Sequence, residues 1–296
     1  MNQSLEKIIQ QNVPLARYTT WQVGGPAKYF AEPKAEEIPD LFDWAHSRNL
    51  PIYIIGRGSN ILISDEGLPG LVIVTRKSLD YISITKNHIE TGAGTPMPRL
   101  AQFAAKEGWK GFGFMVGIPG TVGGGIRMNA GLTVFRPREM VSVVQDFDFL
   151  NTDGRLETLT MKDIHARYRE TDLGSRPGII LRARFKLEES GDPDAIMKFT
   201  KEHLAERKRK QPLDKPTAGS TFKSPPGSKG AGWYIEQTGL KGFQIGGARV
   251  SPKHANWIEN MGNARASDIL ELIEYIQNYA KAELGIILET EALYLQ

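Results

Sequence analysis

The sequence predicts a two-domain protein made of helices and short strands, with no dinucleotide-binding Rossmann domain. A chain of 296 residues is longer than most single domains, and its 40% apolar and 24% charged residues are ordinary globular proportions. Short apolar runs between tight turns alternate with a few amphipathic segments. Each G-x-G pair lacks the third glycine that a Rossmann turn requires. We therefore expect a ligand site of another kind.

The first part of the chain is expected to contain two helices and three short strands. Apolar residues at helical spacing predict helices over 35–48 and 97–107, the second of which runs into Gly108. The glycine-rich stretch after Gly108 has no apolar periodicity, so we expect a loop there. Apolar runs bounded by turn residues predict strands over 51–55, 61–63 and 71–74.

The second part of the chain returns to strands and then changes character. The turn-forming cluster Ser190-Gly191-Asp192-Pro193 indicates a domain boundary near residue 190, and a helix over 194–209 follows it. A longer helix is expected to begin near Ser267 and to stop at Gly285, and a strand over 286–295 closes the chain. Before the boundary, strands are expected over 143–150, 155–160 and 178–185.

Composition excludes several classes of function. The net charge of +3 favours small anionic ligands over nucleic acid. The absence of cysteine excludes disulfides, iron–sulfur clusters and thiol nucleophiles, and the five histidines show no metal-binding spacing, so we expect no metal. There is no apolar run of about 20 residues for a membrane span, and Glu6 and Lys7 interrupt any signal peptide. We therefore expect a cytoplasmic protein with no membrane partner.

Glycine is concentrated in one region, since 11 of the 31 glycines lie between Gly92 and Gly131. The segment Gly117–Gly125 mixes glycine with apolar residues, whereas loops that are only mobile are mostly polar. We interpret it as a main-chain cradle for a pyrophosphate. The segment Gly56–Asn60 follows a strand and also suits phosphate oxygens, although by itself it is equally compatible with a simple turn.

Four other features are candidates for chemistry. Ser220, between a glycine and a lysine, is either a proton donor or a helix cap, and Tyr168-Arg169 is either functional or an exposed pair. Lys210, at the end of a basic run, is either a phosphate ligand or part of a solvated helix end. Glu289 and Glu291 would lie on one face of the last strand, about 6.6 Å apart, which favours a function for them.

Taken together, these segments resemble the UDP-N-acetylenolpyruvoylglucosamine reductase family of bacterial flavoenzymes, from Tyr18 to Glu291. The chain is too short for a long tyrosine-bearing loop, so it is similar to the shorter subclass. The ordered motifs that carry the resemblance are Tyr18-Thr19-Thr20-Trp21-Gln22-Val23-Gly24-Gly25-Pro26, Gly58-Ser59-Asn60-Ile61-Leu62, Gly92-Ala93-Gly94, Gly117-Ile118-Pro119-Gly120-Thr121-Val122-Gly123-Gly124, Tyr168-Arg169, Lys210-Gln211-Pro212-Leu213, Gly219-Ser220-Thr221-Phe222-Lys223, Gly239-Leu240-Lys241-Gly242, Lys253-His254-Ala255-Asn256 and Leu288-Glu289-Thr290-Glu291.

The resemblance implies an α+β fold. Residues 1–190 would form an FAD-binding region of the PCMH type, shared with vanillyl-alcohol-oxidase-like flavoproteins, with subdomains at about 1–75 and 76–190. Residues 191–296 would form a smaller α+β substrate-binding domain, whose last strand, 286–296, packs back on the first subdomain. We expect noncovalent FAD, because the chain has no cysteine and no histidine in its glycine loops.

The resemblance also implies an activity. NADPH would reduce the flavin, and the flavin N5 hydride would pass to the enolpyruvyl group of a UDP-sugar, a small-molecule substrate. Ser220 would supply the proton, while Arg169 and Glu291 would stabilise the enol. Substrate contacts are expected from Lys210, Lys223, Lys241 and His254. FAD contacts are expected from Gly56, Arg57, Gly58, Ser59, Asn60, Ile61, Gly94, Gly117, Ile118, Pro119, Gly120, Thr121, Gly123, Gly124, Asn129 and Gly131.

Two other functions stay open at the level of sequence. One is a related flavin-dependent oxidase, against which the proton-donating set of Ser220, Arg169 and Glu291 argues. The other is a binding protein for flavin or a nucleotide sugar that has lost catalysis. The segment from Leu132 to Glu139 keeps this second alternative open, because the family usually has a shorter turn there.

Overall fold

A computed structural model describes residues 5–132, 138–227 and 229–296. The segment between Leu132 and Glu139 that distinguishes this chain from the family therefore lies mostly outside the described residues. The described residues form two compact units. The first unit comprises those of Met1–Gln10, Tyr29–Arg57 and Gly70–Glu206, and the second comprises those of Gln11–Lys28, Gly58–Pro69 and Arg207–Gln296.

Helices and strands alternate along the described chain in short elements. The helices are α1 (Leu5–Ile8), α2 (Ile38–His46), α3 (Met97–Lys106), α4 (Val122–Arg127), α5 (Pro193–Lys210), α6 (Ala231–Gln237) and α7 (Ala266–Leu284). The strands are β1 (Gln10–Pro14), β2 (Pro26–Ala31), β3 (Ile52–Ile55), β4 (Ile61–Ile63), β5 (Leu68–Val74), β6 (Ile82–Ile84), β7 (His88–Gly92), β8 (Gly131–Leu132), β9 (Arg138–Glu139), β10 (Val144–Asn151), β11 (Leu156–Leu159), β12 (Ala166–Arg167), β13 (Glu170–Thr171), β14 (Gly178–Lys186), β15 (Gln244–Ile245), β16 (Ala248–Val250), β17 (Ile258–Asn260) and β18 (Leu293–Leu295).

The first unit is built on a five-stranded antiparallel sheet with the order β11-β10-β14-β7-β6. Its apolar face buries Phe147, Ala183 and Phe185, which pack with the buried face of α3 in one hydrophobic core. Strands β3 and β5 pair in parallel, from Ile52 opposite Leu71 onward. The strands and helices predicted in this part are therefore confirmed, with ends that differ by at most three residues.

The glycine-rich stretch is the clearest exception, because the prediction that it is entirely loop is wrong. It contains the helix α4 and a turn of 3₁₀-helix at Gly113–Gly117. Tertiary packing overrides the poor helix propensity of glycine here. Val122 and Ile126 of α4 are fully buried, and a Cβ on Gly125 would lie 2.6 Å from Met97 Sδ, so a larger residue there would displace the methionine side chain.

The second unit is organised around α7. The helix buries Ile269, Leu272 and Ile276, and these residues share a core with Trp21 and Leu62 from the early segments of the chain. Gly285 ends the helix in the left-handed conformation at φ 66°, as predicted. A small antiparallel sheet with the order β15-β16-β17 completes the unit.

The last strand is shorter than the prediction of 286–295. Only Leu293–Leu295 form a strand, β18, which runs parallel to β4. Before it, Thr290 makes a single antiparallel bridge with Phe222. The chain changes hydrogen-bonding partner between these points, and this change interrupts a regular strand.

The pairing of β18 with β4 also helps to explain which segments form the second unit. The segment Gly58–Pro69, which carries β4, belongs to the same unit as the C-terminal residues. The two units divide within α5, after Glu206. This differs from the expected single boundary near residue 190. Local turn residues carry no information about pairing between distant segments, so a boundary inferred from them cannot include such pairing.

Candidate functional site

The predicted site residues divide between the two units. The first unit contains Gly56, Arg57, Gly94, Gly117, Ile118, Pro119, Gly120, Thr121, Gly123, Gly124, Asn129, Gly131 and Arg169. The second unit contains Gly58, Ser59, Asn60, Ile61, Lys210, Ser220, Lys223, Lys241, His254 and Glu291.

Thr121 is central to the glycine cradle of the first unit. Its hydroxyl caps α4 by accepting a hydrogen bond from the Gly124 amide at 3.4 Å. The amides of Val122 and Gly123 already donate to backbone carbonyls, at 2.9 and 2.8 Å. Those of Gly120 and Thr121 donate to no carbonyl among the residues that the structure describes. The expected array of free amides is thus smaller than the sequence suggested, and these two amides are the ones available to an anion.

Two further glycines allow backbone segments to approach each other in this unit. A Cβ on Gly56 would lie 2.5 Å from Thr121 Oγ1, and one on Gly94 would lie 2.3 Å from the Thr75 carbonyl oxygen. Both distances are too short for a side chain. Because these two glycines have no side chains, the end of β3 and the residues after β7 can pack closely against their neighbours. Gly56 lies directly against Thr121, the residue that caps α4.

Arg169 is held in a fixed position in the first unit. Its side chain is 11% exposed, its Nη2 donates to the Gly131 carbonyl at 2.7 Å, and its Nη1 lies 3.5 Å from Glu139 Oε1. The guanidinium also covers the Tyr168 ring at 4.7 Å. Tyr168-Arg169 is therefore not simply an exposed pair, because the arginine is largely buried and ordered.

Asn129 and Glu139 support this arrangement. Asn129 donates from Nδ2 to Glu139 Oε2 at 2.8 Å and to the Arg167 carbonyl at 3.0 Å. Its Oδ1 accepts from the Val141 amide at 3.1 Å. Glu139 thus links Asn129 to Arg169, a role that our reading of the sequence missed. Asn129 is buried and has φ 42°, but neither property can be recognised from the sequence. The link between Asn129 and Glu139 could therefore not be predicted.

The turn that opens the β4 segment belongs to the second unit. Gly58 has φ 62°, and a Cβ there would lie 2.1 Å from the Tyr18 carbonyl oxygen, so only glycine fits. Its own carbonyl accepts from the Thr20 amide at 3.0 Å. Ser59 and Asn60 follow, both half-buried. The motif therefore forms a tight and well-anchored turn, as predicted.

Ser220 and Glu291 are brought together in the second unit. The segment Ser220–Lys223 bridges to Trp257 at one edge and to Thr290 at the other. The Glu291 amide donates to the Thr221 carbonyl at 2.8 Å, one residue from Ser220. Ser220 is half-buried, and none of the hydrogen bonds among the described residues involves its hydroxyl. The hydroxyl is therefore available to a ligand, and no helix begins there for it to cap.

Asn256 fixes this segment and was not predicted as a site residue. Its Oδ1 accepts from the Phe222 amide at 3.0 Å, its Nδ2 donates to the Phe222 carbonyl at 2.9 Å, and its carbonyl accepts from the Thr221 amide at 2.8 Å. The asparagine stands in the Lys253-His254-Ala255-Asn256 motif. A motif of this kind marks a position but does not reveal which segment it holds.

The two carboxylates near the C-terminal strand have different surroundings. The Glu289 side chain is 74% exposed and lies 3.8 Å from Lys223 Nζ, whereas Glu291 is half-buried. The expectation of a functional pair on one strand face is therefore wrong for Glu289. Its exposure and its ion pair with lysine are typical of a surface residue.

The basic residues of the second unit surround His254. Burial, together with the positive charges of Lys241 and Arg207, lowers the pKa of His254 below its usual value. The imidazole is therefore neutral near pH 7, and its Nδ1 accepts from the Asn256 amide at 3.3 Å. Lys241 Nζ forms an ion pair with Glu236 at 2.5 Å, and Lys210 is exposed at the end of α5.

In the part of the chain that the structure describes, no group of three or more His, Asp or Glu side chains is arranged to hold a metal ion. No helix there is both long and apolar enough to cross a bilayer.

Comparison with known proteins gives matches over nearly the whole chain. Residues 26–160 match the FAD binding domain family, and residues 211–295 match the C-terminal domain of UDP-N-acetylenolpyruvoylglucosamine reductase. Reductases of that name from Synechococcus sp. (strain WH7803) and Acaryochloris marina are 43% and 40% identical. The alignments cover 96% and 100% of this chain and 92% and 98% of those relatives.

A solved structure agrees with the sequence matches. The crystal structure of UDP-N-acetylenolpyruvylglucosamine reductase from Thermus caldophilus is 34% identical and superimposes with a TM-score of 0.80, covering 97% of this chain and all of that one. The predictions of an α+β fold, an FAD cofactor and an enzyme family are thereby confirmed. This chain belongs to the UDP-N-acetylenolpyruvoylglucosamine reductase family.

Proposed function

We propose that this protein reduces the enolpyruvyl ether of UDP-N-acetylglucosamine to the lactyl ether of UDP-N-acetylmuramate, with NADPH as the reductant. The product is a precursor of the bacterial cell wall. The proposal rests on the family and on one observation, the hydrogen bond from the Glu291 amide to the Thr221 carbonyl at 2.8 Å, which joins the backbone of Glu291 to the segment that carries Ser220 in the second unit. A proton donor and a carboxyl group are what reduction of an electron-poor double bond requires.

We assign FAD binding to glycine-bounded turns that fit a diphosphate. The amides of Gly120 and Thr121 have no carbonyl partner within the described residues, and the positive end of the α4 turn lies beside them. The Gly58-Ser59-Asn60 turn offers further amides and a hydroxyl. When bound, FAD accepts a hydride from NADPH and delivers it to the substrate carbon. We expect noncovalent binding, since the chain has no cysteine and no histidine in its glycine loops.

Three residues supply the proton and stabilise the negative charge that develops on the substrate during reduction. Ser220 Oγ donates a proton to the carbon next to the substrate carboxylate. Arg169, whose guanidinium is always charged and here is fixed in position, stabilises the negative charge that builds up on the enol oxygen. Glu291 shares a hydrogen bond with that oxygen.

The basic surface of the second unit suits the nucleotide diphosphate of the substrate. Lys210, Lys223 and Lys241 supply cations, and neutral His254 supplies a hydrogen-bonding group without further charge. Two of these lysines, Lys223 and Lys241, form ion pairs with Glu289 and Glu236.

The test separates the two half-reactions. NADPH is added anaerobically and then the enolpyruvyl substrate, while flavin absorbance is followed. In the wild-type protein we expect bleaching and then recovery. Ser220→Ala should bleach normally but recover about 10²-fold more slowly, because a general acid is lost.

Ser83→Ala, which removes an exposed hydroxyl from β6, is the matched control and should behave as wild type. Equal slowing of both steps by Ser220→Ala would remove Ser220 from the acid role. An absence of bleaching with NADPH would contradict the reductase and favour a nucleotide-sugar binding protein.

A further inference from the structure

Asn60 connects the proposed cofactor turn to Glu291. Its side-chain Nδ2 donates to the Glu291 carbonyl at 3.0 Å, and its backbone carbonyl accepts from the Leu293 amide at 2.9 Å. Both bonds join residues of the second unit that are more than 230 positions apart in the sequence. One asparagine therefore contacts the chain on both sides of Ala292.

These bonds extend the parallel pairing of β4 with β18 beyond its end. The bond from the Leu293 amide to the Asn60 carbonyl belongs to this ladder. The next acceptor along the ladder is the Glu291 carbonyl, which accepts from the side-chain amide of Asn60 instead of from a backbone amide. The Glu291 amide is already bound to the Thr221 carbonyl at 2.8 Å. The backbone of Glu291 is thus held at both its N–H and its C=O groups.

We propose that Asn60 is a positioning residue for Glu291, acting through the backbone carbonyl of the glutamate. A side chain that starts from a backbone fixed at both polar groups has fewer orientations to lose when it meets the substrate. The proposal rests on the role of Glu291 in the proposed function. It adds a residue whose side chain does not itself reach the reacting atoms.

Gln277 provides a matched control within the same unit. Its Nε2 donates to the Leu288 carbonyl at 2.8 Å and to the Thr290 hydroxyl at 3.4 Å, so it also fastens the C-terminal segment through a side-chain amide. Neither bond is made to the backbone of Glu291. A general loss of attachment of the segment should affect both asparagine and glutamine variants, whereas a positioning role should affect only Asn60.

The experiment compares Asn60→Asp, Asn60→Ala, Gln277→Ala and Glu291→Gln as FAD-loaded proteins. Asn60→Asp keeps the size of the side chain and the bond to Leu293 but removes the donor. Because Asn60 also belongs to the proposed FAD-binding turn, the readout is the ratio of the two half-reactions: in both Asn60 variants we expect reoxidation by the substrate to slow at least about 5-fold more than reduction by NADPH, the scale of one lost hydrogen bond. Gln277→Ala should be reoxidised at the wild-type rate.

Hydrogen–deuterium exchange gives a readout that is independent of turnover. Both Asn60 variants should exchange the Glu291 amide at least about 5-fold faster than wild type, with no change within α7. Wild-type exchange and reoxidation in Asn60→Asp would overturn the proposal, as would equal slowing by Gln277→Ala. If Glu291→Gln is slow and the Asn60 variants are not, only this inference fails. If Glu291→Gln reoxidises normally, the proposed role of Glu291 fails as well.

Discussion

At the scale of single residues, the first unit holds Arg169 in an unusual conformation. Its backbone has φ 59°, a left-handed value that is uncommon for a side chain of this size, and its guanidinium is bound to Gly131 and Glu139. Strain of this kind is retained where surrounding contacts determine the geometry, and it is frequent at functional sites. The conformation supports a role that depends on the direction of the guanidinium as well as on its charge.

Replacing Arg169 by lysine tests this directional role. Lysine keeps the charge but loses the planar fork that binds Gly131 and Glu139 together. We expect Arg169→Lys to slow reoxidation of the reduced flavin by the substrate about 10-fold or more, the scale of a lost hydrogen bond to a charged group. Rapid mixing under anaerobic conditions measures this rate.

Arg176→Lys is the appropriate control, because Arg176 also contacts a carboxylate and a backbone carbonyl in the first unit. It should leave reoxidation unchanged. Equal rates for Arg169→Lys and wild type would show that charge alone suffices.

At the scale of secondary structure, α4 keeps glycines in positions where alanine would favour the helix. Gly124 is exposed, and a Cβ there would meet only Thr121 Oγ1, at 3.5 Å. Gly123 is more restricted, because a Cβ would lie 3.0 Å from Ala93 Cβ. Internal packing therefore explains Gly123 but not Gly124, and an open position at Gly124 agrees with the proposed approach of FAD to this turn.

Gly124→Ala should separate stability from cofactor binding. In the FAD-free protein we expect the free energy of unfolding to rise by about 0.5–1 kcal/mol, because alanine favours the helix. We expect FAD affinity to fall, since a methyl group would occupy the face offered to the cofactor. Urea denaturation and fluorescence titration with FAD measure the two effects.

Gly123→Ala, in contrast, should lower stability as well as FAD affinity. Unchanged FAD affinity in Gly124→Ala would mean that this glycine does not serve the cofactor.

The elements predicted from the sequence succeeded or failed for local physical reasons. The helix α7 has a regular apolar period and a glycine stop, so its sequence alone specifies it. Three of the six residues of the helix α4 are glycine, and burial of Val122 and Ile126 in a tertiary core stabilises it against their poor helix propensity. The links through Glu139, Asn256 and Asn60 are side-chain bonds to distant backbone groups, and no local pattern contains them.

At the scale of the whole molecule, a charged network on the main sheet makes stability depend on pH. Asp148 is buried between strands and binds Arg182 at 2.5 Å, Arg184 at 2.7 Å and the Thr158 hydroxyl at 3.0 Å. Burial raises its pKa, but the bonds from Arg184, Arg182 and Thr158 outweigh burial, and the net pKa lies below the usual value. The carboxylate therefore binds protons less readily in the folded than in the unfolded chain.

A lowered pKa in the folded state stabilises the protein above the unfolded pKa, near 4, and this stabilisation is lost as pH falls through the folded pKa. We expect Asp148→Asn to lower the free energy of unfolding by about 1–3 kcal/mol at pH 7. The difference from wild type should shrink progressively below about pH 4. Urea denaturation across this pH range measures it, and a difference that does not change with pH would contradict the assignment.

The arrangement of the whole chain was the hardest feature to predict. Length and turn residues indicated two units, but the second unit takes segments 11–28 and 58–69 from the N-terminal part of the sequence. The sequence predicts Asn60 as an FAD contact and identifies Trp21 only as part of a family motif. Their side chains bond to the Glu291 and Ile258 carbonyls, and pairing over such separations leaves no periodicity in the sequence.

This discontinuity has a consequence for how the protein is made. The indole N–H of Trp21 donates to the Ile258 carbonyl at 2.8 Å, across 237 positions of sequence. During translation Trp21 and Leu62 emerge from the ribosome early, and they remain without their packing partners until most of the polypeptide has been synthesised. Nascent chains would therefore expose hydrophobic surface for a long interval, and chaperones that bind such surface would be most needed during that interval.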